Sequence, residues 1–193
     1  MRAAWSSILL LLFTGTVISK RWIHSVAGPY RMVSRRTYDC NRGELGYDGT
    51  TSHHMRFSHY NPYKPEEPQS VYGNVTRSKP MNDSFWYTVN LDLWTNNQWK
   101  SNALKIRIKT GACTFEHESQ PSYFLSSGGS FQDGKCTKRQ GHFFLDGMKI
   151  DQTMLGFPVL PYGRYRSLEM YGRPESDIVP ECMYDEVDII PKA

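Results

Sequence analysis

Four cysteines, Cys40, Cys113, Cys136 and Cys182, restrict the fold of this chain more than any other feature. Ahead of them, Arg2 precedes an apolar run from Ile8 to Phe13 and a short uncharged stretch from Thr14 to Ser19. That is the layout of a secretory leader cut before Lys20, so residues 1–19 are read as a signal peptide. Behind a leader, an even cysteine count reads as disulfides formed in an oxidising compartment, outside the cell or in the lysosomal lumen. Four cysteines allow three connectivities. First and last strands of a sandwich are commonly neighbours, which favours Cys40–Cys182 with Cys113–Cys136. The pairing Cys40–Cys113 with Cys136–Cys182 stays open on counting alone. On the chain-entropy model the longer bridge of the favoured pairing contributes about 5 kcal/mol and the shorter about 3.4 kcal/mol.

A chain closed in this way still has to fill a core, and its apolar residues recur at period two. The 12 tyrosines, 11 prolines and 15 glycines, with no long helix-forming run, point to strands and turns. From Asp83 to Trp94, Phe85, Tyr87, Val89, Leu91 and Leu93 fall on one face of a strand and Trp86, Thr88, Asn90, Asp92 and Trp94 on the other. Thr95-Asn96-Asn97-Gln98 reads as a hairpin turn, after which Leu104, Ile106 and Ile108 alternate with Lys105, Arg107 and Lys109. Two such strands in succession indicate antiparallel sheets sharing a core. Further strands are expected at His53–His59, His142–Leu145, Tyr165–Tyr171 and Met183–Ile190. The prolines of the 61–68 stretch force an extended connection. Residues 20–39 read as a flexible basic lead-in, and the Gly/Ser-rich stretch from Ser126 to Lys135 as a mobile loop. The expectation is one domain over residues 40–193, an all-β, antiparallel, immunoglobulin-like sandwich of about seven to nine strands.

Little in the chain points to catalysis. His53, His54 and His59 invite a metal reading, but on a strand His53 and His59 lie about 20 Å apart, at about 3.3 Å per residue. They are expected as exposed edge histidines. No Gly-x-Ser-x-Gly elbow is present, and Ser127-Gly128-Gly129-Ser130 reads as a flexible loop. Glu116, His117 and Glu118 follow a cysteine and read as a solvated acidic corner. With no phosphate cradle and no Cys-x-x-Cys, no enzyme, metal or cofactor is expected. A net charge of +4 is too mild to point to nucleic acid. Asn74-Val75-Thr76 and Asn82-Asp83-Ser84 are sequons, so Asn74 and Asn82 are candidate glycosylation sites.

What remains is apolar material. Phe143, Phe144, Leu145, Met148, Ile150, Met154, Leu155, Phe157, Val159 and Leu160 are concentrated on a segment that proline interrupts. Such a segment suits the wall of an apolar pocket that accepts a lipid tail. The expected lining is Phe85, Tyr87, Val89, Leu91, Leu104, Ile106 and Ile108 on one side. On the other stand Phe143, Leu145, Phe157, Val159, Leu160 and Leu168. Trp94 and Trp99, beside the hairpin tip, would seat the rim in a membrane interface during transfer.

Ordered short motifs carry a family resemblance. Gly73-Asn74-Val75-Thr76, Gly111-Ala112-Cys113-Thr114-Phe115-Glu116-His117, Gly141-His142-Phe143-Phe144-Leu145, Gly163-Arg164-Tyr165-Arg166 and Cys182 together resemble the ganglioside activator proteins of the lipid-recognition (ML) superfamily. Small secreted arthropod proteins linked to chemosensation share similar patterns. The resemblance implies a β-cup, two sheets splayed around acyl chains, and the pairings Cys40–Cys182 and Cys113–Cys136. It also implies a non-enzymatic carrier of fatty acid, phospholipid or glycolipid that presents its cargo to a glycosidase or receptor. The activators carry eight cysteines, so two of their loop-stapling bridges have no counterpart here. The alternative is an extracellular protein-interaction module with a filled core.

Overall fold

Period-two alternation builds almost every element. The computed structural model describes residues 26–150 and 156–192. The expected leader, residues 20–25 of the lead-in, and Met154 and Leu155 lie outside the described residues. In chain order the elements are β1 (Ala27–Gly28), β2 (Tyr30–Asp39), β3 (Thr51–Phe57), β4 (Gln69–Arg77), β5 (Met81–Asn82), β6 (Trp86–Thr95) and β7 (Gln98–Ile108). Two short helices follow, α1 (Ala112–Ser119) and α2 (Pro121–Ser126). The chain then continues as β8 (Gly129–Gln132), β9 (Lys135–Lys138), β10 (Gly141–Ile150), β11 (Leu160–Pro161), β12 (Gly163–Gly172) and β13 (Glu181–Pro191).

The main sheet has the order β2-β13-β12-β6-β7 and a second sheet the order β10-β4-β3. A small sheet, β5-β9-β8, and the pair β1-β11 complete the fold. Every ladder is antiparallel, and the whole is an all-β sandwich. The β6–β7 hairpin turns through Asn96 (φ 51°) and Asn97 (φ 59°), both left-handed, which matches the twist of the flanking strands. Asparagine is among the few non-glycine residues that adopt this backbone readily.

Three sequence expectations change. Residues 30–39 are a ten-residue strand rather than a flexible lead-in. Arg35 pairs across the ladder with Asp188 of β13, Arg36 lies over the Tyr38 ring, and Arg31 pairs with Glu66. The stretch from Ser126 to Lys135 is mostly the β8–β9 hairpin, turned at Asp133 (φ 50°) and Gly134 (φ 71°). Residues 112–126 are helical rather than a solvated corner.

The disulfides are Cys40–Cys182, from the end of β2 to β13, and Cys113–Cys136, from α1 to β9. The second therefore ties a helix to a hairpin rather than clipping a loop. Among the described residues no helix is long and apolar enough to cross a membrane.

Candidate functional site: a charged cavity between the sheets

The inner face of the main sheet divides along its length. In β12, Tyr165, Ser167, Glu169 and Tyr171 share one face, in register with Val187, Asp185, Met183 and Glu181 of β13. At one end, Leu91, Tyr165, Val187 and Ile189 belong to an apolar cluster and are buried. Towards the other end the same face carries Glu169, Glu181 and Asp185. Opposite them, Met55, Val71 and Ile150 of the second sheet and Phe115, Glu116 and Tyr123 of the helices enclose a cavity of about 50 Å³.

Buried charge must be paired, because desolvating an isolated ion costs far more than a fold can offset. Lys138 is fully buried, and its Nζ donates to Glu116 Oε2 at 2.6 Å and to Glu181 Oε1 at 3.2 Å. Glu181 also faces Arg77, 3.7 Å away, and His53 Nε2, 3.5 Å away. Arg77 Nη1 donates to the carbonyls of Ser127 at 3.0 Å and Arg139 at 3.2 Å. His53 Nδ1 lies 2.8 Å from Asp39 Oδ1. Three cations thus interlock with three carboxylates, and they join β2, β3, β4, β9, α1 and β13.

The titration of these groups follows from that geometry. Burial alone would lower the His53 pKa, but the hydrogen bonds and charges of Asp39 and Glu181 outweigh it and raise it to about 9. His53 is therefore an imidazolium at neutral pH. Burial would raise Glu181, but the charges of Lys138, Arg77 and His53 and the His53 hydrogen bond hold it well below the usual carboxylate range. Burial pushes the hydroxyls of Tyr87, Tyr123 and Tyr171 up, so all three are neutral donors.

The pairing is incomplete on the cavity side. The Tyr171 hydroxyl donates to Glu116 Oε2 at 2.9 Å, the oxygen that Lys138 already uses. Glu116 Oε1 and the Tyr123 hydroxyl are buried with no hydrogen-bond partner, and both residues line the cavity. Glu169 accepts from the Tyr87 hydroxyl at 2.8 Å and lies 3.4 Å from Ser167 Oγ, with no cation beside it among the described residues. Burial raises the Glu169 carboxyl above its ordinary pKa, and the charges of Glu116 and Glu181 add to this.

The residues expected to line a lipid site are distributed as follows. Phe85, Tyr87, Val89, Leu91 and Leu160 are buried in the apolar cluster, and Leu104, Ile106, Ile108 and Phe157 pack against it half-buried. Leu145 belongs to a separate cluster with Val71 and Val75 of the second sheet and Tyr123 of α2. Phe143 lies over the Gly128 turn, so close that a β-carbon there would meet its ring at 2.2 Å. Val159 is half-exposed. Leu168 faces away from the cleft and packs beside the Cys40–Cys182 bridge, because Ser167 and Glu169 take the inward positions of β12. Of the whole set, only Tyr87 lines the cavity.

Nor are all the histidines on an exposed edge. Of the three clustered in sequence, His53 is buried, while His54 and His59 face solvent. His117 is stacked on Phe131, 5.0 Å between ring centroids. Asp83, Cys113 and Cys136 are the one described group close enough to share an ion, but the two sulfurs are already bonded to each other. Trp94 and Trp99 pack edge to face, 4.9 Å apart, with the Arg164 guanidinium over both rings. Asn82 is exposed, its Oδ1 accepting from the Ser84 backbone and hydroxyl. Asn74 sits half-buried in the middle strand of the second sheet, in register with His54 and Phe144. Comparison with models of known protein families and with curated protein sequences finds no match.

Proposed function

We propose that this protein is a non-enzymatic carrier that holds an apolar or amphipathic small molecule, of the fatty acid, phospholipid or glycolipid kind, between its two larger sheets. One observation carries the reading. The two sheets keep separate apolar clusters, and each leaves a set of apolar side chains packed against it only partly covered. On the main sheet these are Leu93, Leu104, Ile106 and Ile108, and on the second Met55, Phe57, Met148 and Ile150. Apolar surface left half-wet is what a tail would cover, at about 0.8 kcal/mol per methylene buried. The ordered motifs that resemble the lipid-recognition group support the same reading. Two disulfides fit an oxidising compartment, and the exposed Trp94 edge would meet a membrane or a receiving glycosidase or receptor.

The enclosed space, about 50 Å³, is far below the roughly 300–1,000 Å³ of small-molecule pockets, so loading requires the cleft to widen. That small volume also favours the competing reading, an extracellular protein-interaction module with a filled core. Native mass spectrometry of the secreted protein, followed by titration with a fluorescent fatty acid, separates the two. Stoichiometric cargo or saturable uptake supports the carrier. An empty protein that takes up nothing is the outcome that ends it.

A further inference from the structure

The carrier reading leaves open which end of a cargo enters the charged half of the cleft, and the cavity's unfilled valences bear on that choice. We infer that the cavity receives the protonated amino group of a long-chain primary amine, seated between Glu116, Glu169 and Tyr123. This rests on the carrier reading, a tail held between the sheets, and puts an amine head in place of the acidic, phosphate or sugar heads named there.

Charge comes first. The ionisable side chains lining the cavity are Glu116, Glu169, Glu181, Asp185 and three tyrosines, with no lysine, arginine or histidine among them. Glu181 is already balanced by Lys138, Arg77 and His53. Asp185 accepts from the Ser34 and Thr37 hydroxyls, each at 3.0 Å. Glu116 holds Lys138 through Oε2, which leaves its Oε1 and the Glu169 carboxylate as acceptors on a cavity whose own lining has no cation. A carboxylate or phosphate head would add like charge to this wall and be repelled.

Valence and size narrow the choice further. A primary ammonium has three N–H donors. Glu116 Oε1, Glu169 and the Tyr123 oxygen offer three acceptors, two of them buried and unpartnered. The aromatic walls add ring-face attraction for a cation. Tyr87 and Phe115 lie 5.5 Å apart, Tyr87 and Tyr171 4.5 Å, and Tyr171 already holds the Lys138 ammonium 4.7 Å from its ring centre. About 50 Å³ admits an ammonium group before the cleft widens for the tail. An ammonium partner would also offset the burial that now disfavours ionised Glu169. Met55, Val71, Ile150 and Met183 line the same cavity and give the first tail methylenes an apolar surface.

The test is calorimetric titration of the full-length secreted protein with dodecylamine, dodecanol and dodecanoic acid at pH 7, each below its micelle concentration. Dodecylamine should bind at least tenfold more tightly than dodecanoic acid, with dodecanol between them. In Glu169→Gln the amine-to-alcohol affinity ratio should collapse towards one, and Tyr123→Phe, a milder change, should lower it several-fold. If the acid binds as tightly as the amine, or the ratio survives both substitutions, the head-group inference is overturned while the carrier reading stands. If none of the three binds, both fall.

Discussion

The two ends of the cleft are built from the same strands yet held by opposite means. At one end Leu91, Tyr165, Val187 and Ile189 are covered by neighbours of their own kind, and what stabilises them is removal of surface from water. At the other, Lys138, Arg77 and His53 are held by Glu181, Glu116 and Asp39, and what stabilises each is the presence of the others. At the apolar end a lost methylene costs its own transfer and the void it leaves, and strands no partner. At the charged end, removing one partner strands the rest. A cleft meant to widen around a cargo would yield where contacts are non-directional and hold where they are reciprocal.

That contrast can be broken most severely at Glu181. Glu181→Ala leaves three buried cations with one fewer shared anion and should cost about 3–5 kcal/mol, read from urea denaturation at pH 7. A cost below about 1 kcal/mol would mean that the charged end is solvated rather than interlocked. Leu91→Ala, at a position 1% exposed, should cost about 2–5 kcal/mol, equally at pH 6 and pH 9. The wild type should itself depend on pH. His53 binds its proton more tightly when folded, so its contribution is fully present below pH 6.5 and is lost as pH rises through about 9. His53→Gln should flatten that decline across pH 6.5–9, and a decline that persists unchanged would assign it to another group. The smallest effect belongs to Glu169, whose raised pKa means the folded state is penalised as the carboxyl ionises. Glu169→Gln should therefore raise the denaturation midpoint at pH 7 and leave it unmoved near pH 4.

How much of this was legible in the sequence follows the same division. Period two located β6, β7, β12 and β13 and the Asn-Asn turn between the first two, because a half-buried strand writes its environment into alternate residues. The all-β sandwich followed from that. Strand β2 is hard to read because its positions alternate weakly, and Arg35 finds its acid, Asp188, only on β13, 153 positions later. Helix α1 was missed because eight residues with almost no apolar stripe resemble a loop. The charged cavity was harder still. Lys138, Arg77 and His53 read as surface residues until their partners are placed, and the Lys138–Glu181 contact joins residues 43 apart in sequence. A fainter mark was there to be read. Glu169 shares its strand parity with Tyr165 and Tyr171, and Asp185 shares that of Val187 and Ile189, so inward acids were written into otherwise apolar faces. Leu168 was placed on the wrong face because apolar character was weighed above that parity.

The bridge between Cys40 and Cys182 has a mechanical consequence. Tyr30 is in register with Pro191 and Asp39 with Met183, so β2 and β13 run inward side by side from the two ends of the chain. A tug on both ends would part this pair rung by rung, as a zip opens, until tension arrived at the bridge. From there the force would pass through sulfur, and the 142-residue span between the two cysteines would feel none of it. The edge strand β2 would peel away while β13 stayed paired with β12, uncovering that margin of the sheet. Glu181 and the three cations gathered on it lie on the slack side of the stop and would stay in place.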